Sequence, residues 1–220
     1  MPLLVAAGHH VTGATRSPAK AADIRRSGAD AAVVDVYDRN ALIDAVKSAR
    51  PAVVIHQLTD LSLLHDADRV AEARERNARL RREGTANLVA GALAAGARRL
   101  IAQSIAFAYA PGLTPPYRET DPLNLETEGG RAVAALEREV TMTPGIDGIV
   151  LRYGNFYGPE TGVETPPGPG ALHIDAAVHA ALLAVDRGAP GIYNIAEDDG
   201  QLAIDKARAA FGFDPSYRLI

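Results

Sequence analysis

GHHVTGATRSPAKAADIRRSGADAAVVDVYD, residues 8–38, reads as strand, helix, strand, each closed by its own punctuation. Val11 sits near the centre of a short strand over 9–15. Ser17 offers a side-chain oxygen to cap a helix with Pro18 at its first position, where the missing N–H costs nothing. Gly28 ends that helix, and the compact apolar run AAVVDV at 31–36 is a buried strand. VTGATR imitates the opening of a glycine-rich phosphate loop. Arg16 stands where the second glycine of such a loop would fall, however, and no glycine follows until Gly28.

Outward from this unit the alternation continues. Upstream, MPLLVAA at 1–7 looks like the last two turns of a helix, stopped by Gly8. Downstream, Leu42, Ile43 and Val46 have helical spacing within 38–49, and Pro51 opens a buried strand, AVVIH, at 52–56. A long charged helical region covers 65–95 with a break expected near Gly84. It is followed by a strand at 100–104 and a proline-rich loop at 111–122. A helix at 131–140, a strand at 148–152 and mostly turn chemistry over 153–169 come next. A helix at 175–185, with Asp175 as its N-cap, a strand at 191–195 and a short helix at 204–211 close the chain. Short buried strands alternating with helices of about ten residues specify βαβ units and a doubly wound parallel sheet.

The chain has 220 residues, enough for a single α/β domain with a small substrate-side part. Its net charge of −4 supports neither a nucleic-acid nor a membrane surface. With no cysteine, disulfides, thiolate metal sites and a cysteine nucleophile are excluded. No apolar run approaches the roughly 18 residues that would span a bilayer, and a signal peptide is not apparent, so a cytoplasmic location is expected. His173, Asp175 and His179 do not share a helical face, so no metal site is expected. In the helical region, Arg69, Arg74, Arg76, Arg79, Arg81 and Arg82 alternate with Glu72, Glu75 and Glu83, which suits a solvated, ion-paired face.

The quoted unit, together with EGTANLVAGALAAGARRLIAQS at 83–104 and LRYGNFYGPETG at 151–162, resembles the extended short-chain dehydrogenase/reductase superfamily, of the NAD-dependent epimerase/dehydratase type. LHIDAAVHAALLA, GIYNIAEDDG and DKARAAFGFDPSYR extend the resemblance to the C-terminal end in the family's order. It implies a Rossmann-like fold, with residues 1–152 as the dinucleotide-binding part and 153–220 as the substrate-side part. It places VTGATR on the family's second strand, so the first strand and its glycine-rich loop are expected to be missing. That loop is where such folds hold the pyrophosphate.

On that placement Arg16, backed by Ser17 and Lys20 and preceded by Thr15, stands where this fold meets the adenosine ribose. An arginine there suits a 2′-phosphate, so NADP is expected in preference to NAD. Asp35 and Val36 resemble the pair lining the adenine pocket, and Leu58 and Thr59 follow the strand beside the cofactor. The family's chemistry rests on a tyrosine and a lysine four residues later on one helix face. None of the seven tyrosines has that lysine; the helix reads GGRAVAALEREV, with Gly129 and Val133 at the two positions. Ser104 remains as the counterpart of the family's catalytic serine, with Tyr109 or Tyr117, in the loop beyond, as a replacement acid. Tyr153, Asn155 and Tyr157 occupy the substrate loop. The resemblance thus implies an NADP-preferring oxidoreductase or epimerase-like enzyme acting on a small polar carbonyl or alcohol, with dimerisation through the long helix at 65–95 and the helix at 131–140. The alternatives are a non-catalytic dinucleotide-binding sensor or scaffold, and an incomplete gene product.

Overall fold

The computed structural model describes residues 1–60 and 67–219. Helix α1 (Pro2–Ala6) ends at Gly8, whose φ of +87° is the left-handed conformation that glycine adopts without strain. Strand β1 (Thr12–Thr15), helix α2 (Pro18–Arg26) and strand β2 (Asp30–Val33) follow. Ser17 caps α2 as expected, its Oγ accepting from the Lys20 N–H at 3.4 Å. Asp38 caps α3 (Arg39–Ala49), which leads into β3 (Val53–His56).

After a 3₁₀ turn at Ala67–Arg69 the chain forms α4 (Val70–Arg79), a π-helical turn at Leu80–Gly84, and α5 (Thr85–Ala94). The start expected at His65 lies outside the described residues. The break expected near Gly84 is this π turn. A Cβ on Gly84 would lie 3.0 Å from the Leu80 side chain and 3.4 Å from that of Val36, so glycine lets the turn sit close to the end of β2. Strand β4 (Arg99–Ile105), helix α6 (Glu128–Met142) and strand β5 (Asp147–Tyr153) form the centre. Strands β6 (Asn155–Tyr157) and β7 (Ala171–His173), helix α7 (Ile174–Asp186), strand β8 (Gly191–Ile195) and helix α8 (Asp205–Phe211) complete the order.

Two local expectations are corrected. The stretch 153–169 is not all turn, because Asn155–Tyr157 pairs with Ala171–His173 as a short parallel ladder. The α7 cap is His173, whose Nδ1 accepts from the Asp175 N–H at 3.2 Å. The Asp175 carboxylate instead accepts from the Leu219 N–H at 3.1 Å, which ties down the C-terminal segment.

The main ladder is parallel throughout, in the order β3-β4-β5-β8, and β1 pairs with β2 as a separate parallel ribbon. Side chains of β4 and β5 alternate between two cores. Ile101, Ile149 and Leu151 face α7 and α8, whereas Leu100, Ala102 and Val150 face α3, α5 and α6. Strands buried on both faces read as continuous apolar runs, as these do. The β1–β2 ribbon is different, with no fully buried residue in either strand.

Two helices join the ribbon to the main sheet. In α1, Leu4 packs on the core that includes Val53 and Ile55, and the Met1 sulfur lies where a Gly13 Cβ would be, 2.7 Å away. On the other face, Leu42 of α3 joins a core with Val34, Val36 and Val54. Among the described residues β1 has a ladder partner on one edge only, and so does β3. A cleft of about 710 Å³ opens between the ribbon and the C-terminal turn of α3, lined by residues including Thr12, Asp30, Ala32 and Arg50. No helix among the described residues is long and apolar enough to cross a membrane.

Candidate functional site

Because β1 to β5 are parallel within their sheets, most of the sequence-derived candidates lie at the carboxyl ends of the ribbon or of the main sheet, the end where ligands bind in open α/β sheets. Thr15 ends β1, and its Oγ1 accepts from the Ser17 N–H at 3.1 Å. Arg16 and Lys20 are exposed and have no acidic partner among the described residues, which leaves two cations flanking the Ser17 hydroxyl. Asp35 is exposed, its Oδ1 accepting from the Tyr37 N–H at 2.9 Å, while the Val36 carbonyl accepts from Asn87 Nδ2 at 3.0 Å. The Arg79 guanidinium lies 3.9 Å from the Tyr37 ring centroid, and burial raises the Tyr37 phenol above its ordinary range. These residues form a polar shelf beyond the carboxyl ends of β1 and β2.

After β3 the chain is held by α4 and α5. His56, 1% exposed, bonds Thr85 Oγ1 through Nε2 at 2.9 Å and accepts from the Leu58 N–H through Nδ1 at 3.2 Å. Thr59 Oγ1 donates to Asn77 Oδ1 at 3.1 Å, and the Asp60 N–H donates to the same oxygen at 3.0 Å. Leu58 is left projecting, 38% exposed, between these two anchors.

The two candidate acid–base hydroxyls lie inside a buried network. Ser104, 1% exposed, donates to Glu137 Oε1 at 2.8 Å. Arg152 donates to the same carboxylate twice, from Nε at 2.8 Å and from Nη2 at 2.7 Å. The Tyr109 hydroxyl donates to Asn194 Oδ1 at 2.6 Å and accepts from Arg152 Nη1 at 3.0 Å. Burial raises the Tyr109 phenol, outweighing the Arg152 charge that opposes the shift. Both hydroxyl protons are therefore already donated within the protein. At the family's tyrosine position a Cβ on Gly129 would meet nothing within 4 Å, and at the lysine position Val133 is 0% exposed.

A second cavity, about 260 Å³, lies beside this network and is lined by Phe107, Tyr109, Tyr117, Asn155 and Gln201 among others. Tyr109 and Asn155 thus line one cavity. Tyr153 is buried deeper, its hydroxyl 3.5 Å from Gln57 Nε2. Tyr157 faces another way: it donates to Glu197 and accepts from Arg218 Nη2 at 3.0 Å. Sequence reading missed Glu137, Arg152 and Asn194, which meet only in three dimensions. A basic residue within the β5 run GIVLR was the one local signal, since a buried arginine demands a carboxylate.

The fold, with polar residues collected at the carboxyl ends of its parallel strands, is that of a Rossmann-like nucleotide-binding protein. A family model described as NAD(P)H-binding matches residues 1–178, and the chain belongs to that family. Among named relatives, the 3-diazoavenalumate denitrifying reductase of a Streptomyces species is 42% identical, covering 89% of this chain and 70% of that protein. Among solved structures, Thermotoga maritima UDP-glucose 4-epimerase with UDP-glucose superposes with a TM-score of 0.80 at 20% identity, covering 98% of this chain and 89% of the other. Bordetella bronchiseptica WbmG in complex with NAD gives a TM-score of 0.76 at 17% identity, covering 99% and 84%. These two likenesses concern the fold.

Proposed function

We propose that this protein is an NADPH-preferring reductase that delivers hydride to a small, electron-poor, anionic arene carrying a diazo group, without a proton donor from the protein. The observation that carries it is that, among the described residues, no tyrosine–lysine pair stands beside the cavity, whose one unengaged phenol, Tyr117, has no lysine to activate it. Gly129 and Val133 replace the tyrosine and lysine, and Ser104 and Tyr109 are tied to Glu137, Asn194 and Arg152.

A carbonyl substrate, expected from the resemblance, needs a proton for its new hydroxyl. A diazonium carbon does not. Bound NADPH would supply the hydride; a C–H bond forms, the C–N bond breaks, and its electron pair leaves with dinitrogen. The arene is reduced, the cofactor is oxidised, and no proton is consumed. The relative named as a denitrifying reductase of a diazo compound supports this substrate class.

In this reading Arg16, Ser17 and Lys20 hold the 2′-phosphate, Asp35 and Val36 border the adenine, and Leu58 and Thr59 line the cofactor's path. Tyr109 and Asn155 wall the substrate cavity, Ser104 belongs to the buried network beside it, and Tyr153 and Tyr157 support the fold rather than touch the substrate. The test is consumption of NADPH with a diazotised aminobenzoate and with a panel of aldehydes and ketones. Turnover of the diazo compound alone supports the proposal, and turnover of the carbonyls alone contradicts it. For the cofactor, Arg16→Glu is expected to weaken NADPH binding by roughly 10- to 100-fold, the worth of a lost charge-assisted pair. NADH binding should change little. Equal losses for both cofactors would remove Arg16 as the selector.

A further inference from the structure

The ion-paired face expected on the helical region holds for most of its arginines. Arg69 and Arg76 pair with Glu72, Arg79 with Glu83, and Arg82 with Glu128. Arg81 departs from it. It is partly buried, and it has no hydrogen bond or ion pair among the described residues. Its neighbours three and four positions away, Asn77, Ala78, Gly84 and Thr85, include no acid. Burial lowers its guanidinium below the usual arginine range, and its charge in turn lowers the His56 imidazole.

Its position follows from the same spacing. Asn77 and Thr85, one turn to either side, hold the segment after β3: Asn77 binds Thr59 and Asp60, and Thr85 binds His56. Arg81 lies between them in the π-helical turn, close enough to the carboxyl end of β3 for its charge to act on the His56 ring. π turns often mark functional sites. A desolvated guanidinium with no counterion costs stability, and a fork of parallel donors fits a two-oxygen anion.

We propose that Arg81 is the receptor for the carboxylate of the small-molecule substrate, so that this reductase selects arenes bearing a carboxyl group. The inference deepens the function proposed above and rests on it for the substrate's identity, but the anion site itself can be read without turnover. Calorimetric titration of the full chain, with and without NADPH, would use cinnamate as the probe and methyl cinnamate as its neutral control. The wild-type protein is expected to bind cinnamate roughly tenfold or more tightly than the ester, as a charged hydrogen-bonded pair implies. Arg81→Gln should abolish that preference, and Arg81→Lys should keep part of it. NADPH affinity should be the same in all three proteins.

Thermal unfolding supplies an independent reading. A structural arginine loses stability on removal, whereas Arg81→Gln is expected to melt at or above the wild-type temperature, because it sheds a partly buried charge with no ion pair among the described residues. Equal binding of acid and ester, no binding of cinnamate, or an acid preference surviving in Arg81→Gln would overturn the assignment. A loss of NADPH affinity in Arg81→Gln would overturn it too, assigning the guanidinium to a phosphate of the dinucleotide. Should NADPH fail to bind while the acid preference still depends on Arg81, the reductase reading falls and the anion site stands.

Discussion

Replacing Glu137 by leucine is expected to lower the unfolding free energy by about 3–5 kcal/mol, the cost of leaving a buried charge without its partner. Glu137 and Arg152 are each 3% exposed, and they share two hydrogen bonds of 2.7 and 2.8 Å. Without the carboxylate, Arg152 keeps only the Tyr109 hydroxyl at 3.0 Å and the Glu119 carbonyl at 3.3 Å, neither of which neutralises it. Ser104 loses its acceptor as well. A typical domain has only about 5–15 kcal/mol in total, so the variant should be marginally folded. The double variant Glu137→Leu with Arg152→Met should recover much of the loss, since it removes both charges together. Urea unfolding of the three proteins measures this. A single-variant loss below about 1 kcal/mol would show that the pair is not the frame on which the cavity wall rests.

The second large effect is a pH dependence centred on His56. Its Nδ1 accepts from the Leu58 N–H, so the neutral ring carries its proton on Nε2 and donates to Thr85. Burial, and secondarily the Arg81 charge, lowers its pKa to about 4. In the unfolded chain the ring titrates near 6.5. Between these values the unfolded state binds the extra proton, so stability rises with pH. The contribution is complete above about 6.5 and is lost as pH falls toward 4, for a total of about 3 kcal/mol. Carboxylates titrate in part of this window, so the comparison must be with His56→Gln. That variant should be less stable at pH 7.5, with a shallower slope between pH 6.5 and 4 in urea unfolding. Parallel slopes for the two proteins would remove His56 as the titrating group.

What was legible in the sequence is what is encoded locally. Ser17 and Pro18 start α2, Gly8 stops α1, and the apolar runs of β4 and β5 announce strands buried on both faces. Parallel order follows from the alternation of strands and helices, and it puts Arg16 and Asp35 beyond the carboxyl ends of the ribbon strands and Leu58 beyond that of β3. The polar network was not legible. Ser104, Glu137, Arg152 and Asn194 come from four separate elements, and no spacing rule relates them. Sequence therefore suggested free hydroxyls at Ser104 and Tyr109, where the fold supplies partners. Arg81 lies between these cases. It was grouped with its charged neighbours, yet the lack of an acid at three or four residues on either side already set it apart. The β6–β7 ladder escaped because three-residue strands leave too short a pattern to read.

The central claim is hydride transfer to a diazo-bearing carbon with no proton from the protein, and an isotope experiment addresses it most directly. The chain would be incubated with NADPH deuterated at the transferable C4 position and a diazotised aminobenzoate, beside a control without protein. The product's deuterium content would be read by mass spectrometry. The account predicts protein-dependent release of dinitrogen and one deuterium at the carbon that had carried the nitrogen. A folded protein that adds nothing to the control, or a product whose new hydrogen comes from solvent, would contradict it.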